Sequence, residues 1–497
     1  MASGALAGAA LSRRLAVFVL ALLGAALGVA SGAAAKPLTV MTFNIWYGGV
    51  QVDFTQIGRA IRAADADVVG VQEPEGGLGR IARAAGMPYY DPTLHLISRY
   101  PLFAREVGGV RIAYVATDLD HVVAIANVHL TATPYGPELV RDGGSAKAVL
   151  KLERETRLPE IEPFLKPLSA LARTGVPVFL TGDMNSPSHL DWTPAVAAVR
   201  PQVAFPLAWP VSSALADAGF RDSYRDVHPD PVARPGRTWT AGTPPPFIRP
   251  TETLDRIDWV MASGPSTTVA SRLIGEAGGP DVDVGLERWG SDHRAVASTF
   301  EVSPGAAPPL VSASPRVARA GQTLTIRYTT TGGGSGRRIG ILALHGSRPI
   351  VTLPIEDATD HLAAFFGTGV LRAGSYRAAL LDGRGRIQAA SRFWVLARGA
   401  RPRIAAAAPS FAAGQPIRLR WRNAPGNKLD WVGIFRAGAL DVYDYLGFSY
   451  LGAMPHGSVS FAPGDLYTKL EPGRYVAGLF LDDGYSLLAR TTFTVRR

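Results

Sequence analysis

Between Pro37 and Phe300, the apolar runs of this 497-residue chain keep ending on the same few polar groups, which constrains the fold more than any other feature. "VMTFNIW" presents Asn44, "VVGVQEP" Glu73, "IANVHL" His129, and "VFLTGDMN" Asp183 and Asn185. "TLDRIDWVM" presents Asp255 and Asp258, and "WGSDHRAV" presents Asp292 and His293. A carboxylate or imidazole inside a largely apolar strand is costly unless it is paired or binds a cation. Taken singly, each has an ordinary explanation. A lone Gly-Asp or Asp-His caps a turn, Glu73 before Pro74 finishes a strand, and His129 can be a satisfied core histidine. Taken together, carboxylates, carboxamides and two histidines suit a hard, oxygen-seeking ion such as Mg²⁺ and acid–base chemistry. The chain has no cysteine, which excludes disulfides, thiolate metal sites and cysteine nucleophiles.

Stretches of helical period separate these runs. "LTVMTFNIW" and "DVVGVQEP" flank "FTQIGRAIRAA", where Phe54, Ile57 and Ile61 share a helical face. A long, mostly helical stretch lies between "VVAIANVHL" and "VPVFLTGDMN", and "RIDWVMAS" and "RAVASTFEV" close the region as strands. Helices between apolar strands indicate a layered α/β domain, in which strand ends are where sites assemble. "SPGAAPPLVSASP" then marks a boundary. Beyond it short alternating strands recur twice. "AGQTLTIRY" at Ala320 is answered by "AGQPIRLRW" at Ala413, and "RAGSYRAALLDGRGRIQAASRFWV" by "EPGRYVAGLFLDDGYSLLARTTFTV". Two copies of a unit of roughly 95 residues predict tandem β-sandwiches.

An export signal is expected over residues 1–35. Arg13 and Arg14 precede the apolar run "LAVFVLALLGAALGVA", and small residues follow to Ala33-Ala34-Ala35. The alternative is an uncleaved anchor; cleavage after about Ala35 would leave a secreted chain with no membrane span. The net charge of +10 is unevenly placed. Lys36 to Glu301 hold 25 basic and 30 acidic residues, whereas Val302 to Arg497 hold 24 basic and 11 acidic. The basic tail is thus expected either to meet a polyanionic surface or simply to keep a β-rich region soluble. It is read as a binding module separable from catalysis.

The order "TFNIW…VQE…NVHL…GDMN…DRIDW…SDH" resembles the endonuclease/exonuclease/phosphatase (DNase I-like) superfamily over about Pro37 to Phe300. That resemblance implies an α/β four-layer sandwich, with two mixed sheets face to face and helices outside, and metal-dependent cleavage of a phosphate ester. The catalytic domain is expected over 36–302, and the repeat places two sandwiches at 303–398 and 399–497; "DWVGIFRAG…DYLGFSYLG" in the second resembles a fragment of the SKICH/immunoglobulin-like modules found beside some inositol phosphatases. By the same resemblance, Glu73 is the principal metal carboxylate, Asn44 a metal-proximal or phosphate ligand, and Asp292 a residue completing the metal site. His293 orients the attacking water and Asp258 fixes its tautomer. Asp183 sits near the nucleophile or leaving group, Asn185 donates to a phosphate oxygen, and His129 donates to the phosphate or protonates the leaving oxygen. Mg²⁺ is the implied ion, with Mn²⁺ or Ca²⁺ as alternatives.

Which ester is cleaved stays open among nucleic acid, a phospholipid or sphingomyelin headgroup, an inositol phosphate and a soluble phosphodiester. A phosphodiesterase such as a nuclease is the leading expectation. Arg237, Trp239 and His189 are the substrate-binding candidates, Arg237 for a phosphate and Trp239 for stacking. Tyr135 and Asp191 lie in similar loops, and Trp192 and Trp239 also suit ordinary core positions. A different class, a surface-binding protein with an inactive hydrolase domain, would carry a broken motif set.

Overall fold

The period-two alternation of the apolar runs is what separates the layers. Leu38 and Val40 of the first strand, Lys36–Asn44, enter one core with Val68, Ile125, Phe179, Val260 and Phe300, between the two sheets. Met41 and Phe43, on the opposite side of the same strand, pack with Ile57, Ile61, Leu78 and Ile81. These last residues come from the helices Phe54–Ala63 and Leu78–Ala85. Asp53 caps the first helix by accepting from Thr55 N, and Gly86, at φ 73°, ends the second. On the far side, Leu180 and Met261 meet Ile161 and Leu168 of the helix Leu158–Ala172, and Val211 and Leu215 of the helix Pro210–Asp217. Helix, sheet, sheet and helix therefore form the four expected layers. The computed structural model describes residues 35–497 except 119, 241–251, 330–335, 356–362 and 439–440. The expected export signal lies, but for Ala35, outside the described residues, and no helix among those described is long and apolar enough to cross a membrane.

Both sheets are mixed. In the first, Lys36–Asn44 runs parallel to Val68–Gln72 and antiparallel to Ala295–Val302. In the second, Val178–Asp183 runs parallel to His121–His129 and antiparallel to Asp258–Ser263. Register does the functional work here: His129 lies beside Asp183, and Asp183 beside Asp258, on three adjacent strands. In the facing sheet Asn44 lies beside Gln72, one residue before Glu73.

After residue 302 the architecture is nearly all β. Gly305–Ala306 still pairs with the strand ending at His129, and two sandwiches follow. Each combines a three-stranded and a five-stranded sheet with the same strand order, as a duplicated sequence requires. Each also has its own core, around Ile326, Ile341 and Phe393 in the first and Leu419, Ile434 and Phe493 in the second.

At Gly70 the two catalytic sheets approach closely. A Cβ there would overlap Thr181 Oγ1 and Asn127 Oδ1, which belong to a buried amide network. Gly70→Ala is expected to cost about 1–3 kcal/mol through overpacking, read as a lower midpoint in chemical denaturation.

Candidate active site

The polar strand ends of the two sheets converge. Asn44, fully buried, bridges them: its Nδ2 donates to Glu73 Oε1 and to Asp183 Oδ2, both at 3.0 Å. Its Oδ1 accepts from Trp46 N at 3.1 Å. Glu73 also accepts from Tyr47 N at 2.8 Å, and its own carbonyl accepts from Gly48 N. Trp46, Tyr47 and Glu73 all have positive φ, between 46° and 55°. That conformation is uncommon for residues with side chains and clusters at functional sites.

On the other side, Asp183 is 1% exposed and gathers both histidines. Its Oδ2 is 3.6 Å from His129 Nε2 and 3.7 Å from His293 Nε2, while Oδ1 accepts from Asn185 N at 2.9 Å. His293 Nδ1 lies 2.9 Å from Asp258 Oδ2, and Asp258 is fully buried, its backbone N donating to Thr238 Oγ1. Asp258 Oδ1 is buried without a hydrogen-bond partner. Ser291 ties the last motif to the first by donating to the Asn44 carbonyl at 2.7 Å.

The electrostatics follow from crowding. Burial alone would lower the pKa of His293, but Asp258, Asp183 and Asp292 together push it up to about 10. Burial raises the Asp292 carboxyl to about 6, with Glu73 adding to the rise and His293 opposing it. Burial also raises Asp258. So much negative charge gathered in one partly closed place fits a cation, and the donors are mainly oxygens.

Two groupings compete for that cation. Asp183, Asp258 and His293 offer ligand atoms all within 4.8 Å of one another. However, three carboxylates hold His293 as an imidazolium, which a cation at Nε2 would have to deprotonate, so the His293–Asp258 pair is better suited to acid–base work. Glu73 and Asp292, less buried and repelling each other, could also hold a cation, with Asn44 alongside.

The structure does not bring all the sequence candidates together. Trp239 is near: its ring is 6.4 Å from that of His293 and edge-on to Tyr135 at 5.6 Å. The charged neighbours of Arg237 are Arg200, Asp255, Asp281 and Arg294, and burial lowers its pKa. His189 bonds to Ser212 at 2.9 Å in a separate pocket with Asp222 and Phe220, so it does not join the cluster. Asn185, expected to donate to phosphate, gives one of its two Nδ2 hydrogens to the Leu130 carbonyl at 2.9 Å. Asp255, Asp191 and Trp192 are structural. Asp255 accepts from Tyr135 and Trp192, and Asp191 accepts from the buried Arg225 and Arg256. The sequence reading missed Tyr47 and the amides Gln72 and Asn127. Asn127, a carboxamide inside the apolar run "IANVHL", carried the same signal as Asn44.

A four-layer α/β sandwich with carboxylates, a carboxamide and a His–Asp pair where its two sheets meet defines a phosphoesterase. The Endonuclease/Exonuclease/phosphatase family model matches residues 41–293, just over half the chain and all six motifs, and the chain belongs to that family. An uncharacterized Caenorhabditis elegans protein is 28% identical over 255 residues, covering 46% of this chain and 79% of that protein. Among solved structures, an endonuclease/exonuclease/phosphatase from Beutenbergia cavernae is 20% identical, covering 72% of this chain and all of its own (TM-score 0.34). TDP2 from D. rerio, complexed with a single-strand DNA product, is 17% identical, covering 53% of this chain and 99% of its own (TM-score 0.34). An AP endonuclease from Archaeoglobus fulgidus is 15% identical, covering 53% and 100% (TM-score 0.33). The family match, not these low scores, carries the assignment.

Asp258→Asn should bring the His293 pKa down from about 10 toward the ordinary 6.5, because the largest charge holding the imidazolium is lost. An NMR titration of the His293 ring measures this; an unmoved titration would deny Asp258 that role.

Proposed function

We propose that the chain is an exported, Mg²⁺-dependent phosphodiesterase, with a nucleic acid as the leading substrate class. The observation that carries this reading is the convergence, across two sheets, of the Asn44–Glu73–Asp183 bridge with the His293–Asp258 pair. Glu73 and Asp292, with Asn44, would hold the ion. When bound, it polarises the phosphoryl oxygens and neutralises charge on the leaving group.

The protein's own groups do the rest. Asp258 fixes the His293 ring, so that Nε2, 3.7 Å from Asp183 Oδ2, faces the place where a water can be oriented. As that water's oxygen bonds to phosphorus, one of its protons passes to the Asp183 carboxylate beside His293 Nε2, the ester P–O bond breaks, and the leaving oxygen takes a proton. His129, on the other side of Asp183, is placed to donate to the phosphate or supply that proton. Trp239, beside His293, is the aromatic wall for a base or sugar. Export rests on the leader-like sequence alone. A phospholipid, sphingomyelin or inositol phosphate is the alternative substrate.

Glu73→Gln and His293→Ala should each lower hydrolysis of bis-p-nitrophenyl phosphate in Mg²⁺ by about 100-fold or more, with little change in thermal melting. Near-wild-type turnover by either variant would sink the site assignment. DNA, RNA, sphingomyelin and inositol phosphates, tested side by side, separate the substrates.

Attachment to a polyanion has its own support. Arg418, Arg420 and Arg422 alternate outward along one strand of the second sandwich, and Arg403 pairs beside Arg422. Replacing the first three with Ala should make the full chain elute from heparin at lower salt. Unchanged elution would remove this face from the binding role.

A further inference from the structure

The second sandwich reaches the catalytic domain through two loops. One, between the strands Gly473–Phe480 and Leu487–Arg496, carries Asp482. Asp482 is fully buried; its Oδ1 lies 2.7 Å from His95 Nε2, and its Oδ2 accepts from Gly76 N at 2.9 Å. Gly76 sits three residues after Glu73, and Leu481 packs so closely on it that a Cβ would come within 2.7 Å of that side chain. Gly484 of the same loop lies against Glu75.

The second loop carries Lys428, whose backbone N donates to the Pro92 carbonyl and whose Nζ donates to the Asn127 carbonyl at 2.6 Å. These contacts meet beside the strand Val68–Gln72, which leads into Glu73. The His95 carbonyl accepts from Val71 N at 2.9 Å and from Asn127 Nδ2 at 3.1 Å. Asn127 Oδ1 in turn accepts from Gln72 Nε2 at 2.7 Å. Asp482 thus meets the chain on both sides of Glu73, directly at Gly76 three residues after it and indirectly through His95, whose carbonyl holds Val71 N two residues before it.

The sequence repeat supplies an internal control. Asp382 is the carboxylate of the corresponding turn in the first sandwich, which is one residue shorter (five residues between Leu381 and Ile387 against six between Phe480 and Leu487). Among the described residues its side chain accepts from Arg384 N, Arg386 N, Arg386 Nε and Gln388 Nε2, all within six residues of it. The buried interdomain form belongs to the second copy, which also has Asp430 where the first has Arg337. Asp430 accepts from Gly426 N, Asn427 and Asp482 N, bracing the two loops together.

We propose that the second β-sandwich is a working part of the catalytic centre, with Asp482 a positioning residue that fixes the conformation in which Glu73 receives its divalent ion. This rests on the proposed role of Glu73 as the ion's carboxylate. Glu73 has positive φ, so its position depends on surrounding structure that outweighs the local backbone preference. A clamp on both sides of the residue supplies that structure, and groups outside the direct ligand set commonly alter metal affinity about 10-fold or more.

The test is a calorimetric titration of the full chain with Mn²⁺, without substrate. Asp482→Ala is expected to weaken binding about 10-fold. Asp482→Asn, which keeps an acceptor for Gly76 N, should recover most of it, and Asp382→Ala should match wild type. Backbone amides at 75–77 should exchange hydrogen faster in Asp482→Ala alone. If Asp482→Ala binds Mn²⁺ as wild type does, the clamp is only structural and the proposal falls. If wild type takes up no Mn²⁺, the metal reading of Glu73 falls first and the clamp with it. Should Asp482→Ala fail to fold, His95→Gln, which breaks the link from the catalytic side, decides by the same titration.

Discussion

One carboxamide joins the two halves of the site. Asn44 ends a strand of the first sheet and donates both its amide hydrogens across the gap, one to Glu73 on its own sheet and one to Asp183 on the other. Its side-chain oxygen accepts from Trp46 N with one of two lone pairs. Without a neutral donor at that point, two carboxylates would face each other with nothing between them, in a place too buried for water to screen the repulsion. The amide sets the spacing of the carboxylates from which all else follows. Asp183 is then within reach of both histidines, and His293 can lean on Asp258 behind it.

That spacing depends on sheet packing more than on any loop. His129, Asp183 and Asp258 are neighbours because three strands share a register, and Asn44 and Glu73 because two parallel strands do. A slip of one residue in either sheet would turn these groups to the opposite face. The apolar residues that alternate with them, Phe179 and Val260 inward and Leu180 and Met261 outward, hold the register.

The strand ends were legible in the sequence for this reason. A polar group that closes an apolar run breaks a periodic pattern, and the break is visible one residue at a time. What could not be read was which way a side chain spends its hydrogen bonds. Asn185 follows Asp183 in the same motif, yet its amide turns to Leu130. His189 lies only six residues beyond Asp183, but Ser212 takes it into another pocket. The sandwich contact was hidden for a different reason. Asp482 and His95 are 387 residues apart, and no local period encodes such a pairing. The basic composition of the tail suggested a detachable binding module, but the exposed arginines that raised its charge are not the residues that make its contact with the catalytic domain.

That contact changes what the duplication means. Two sandwiches of one topology need not have one task, and the differences between the copies are not spread evenly over them. The second copy has Asp430 where the first has Arg337, and its "LDDGY" turn is buried where the first copy's "LDGRG" turn is open. Burying Asp482, Asp430 and Lys428 costs desolvation that only good pairing offsets. Burial lowers the Lys428 ammonium to about 8, against the pull of Asp482 and Asp483, and raises Asp430 to about 6. A surface meant only to tether a domain would be cheaper if it were apolar. Charged groups kept at that cost, with Asp482 on the turn that follows Glu73, are better explained by the geometry they impose than by the stability they add.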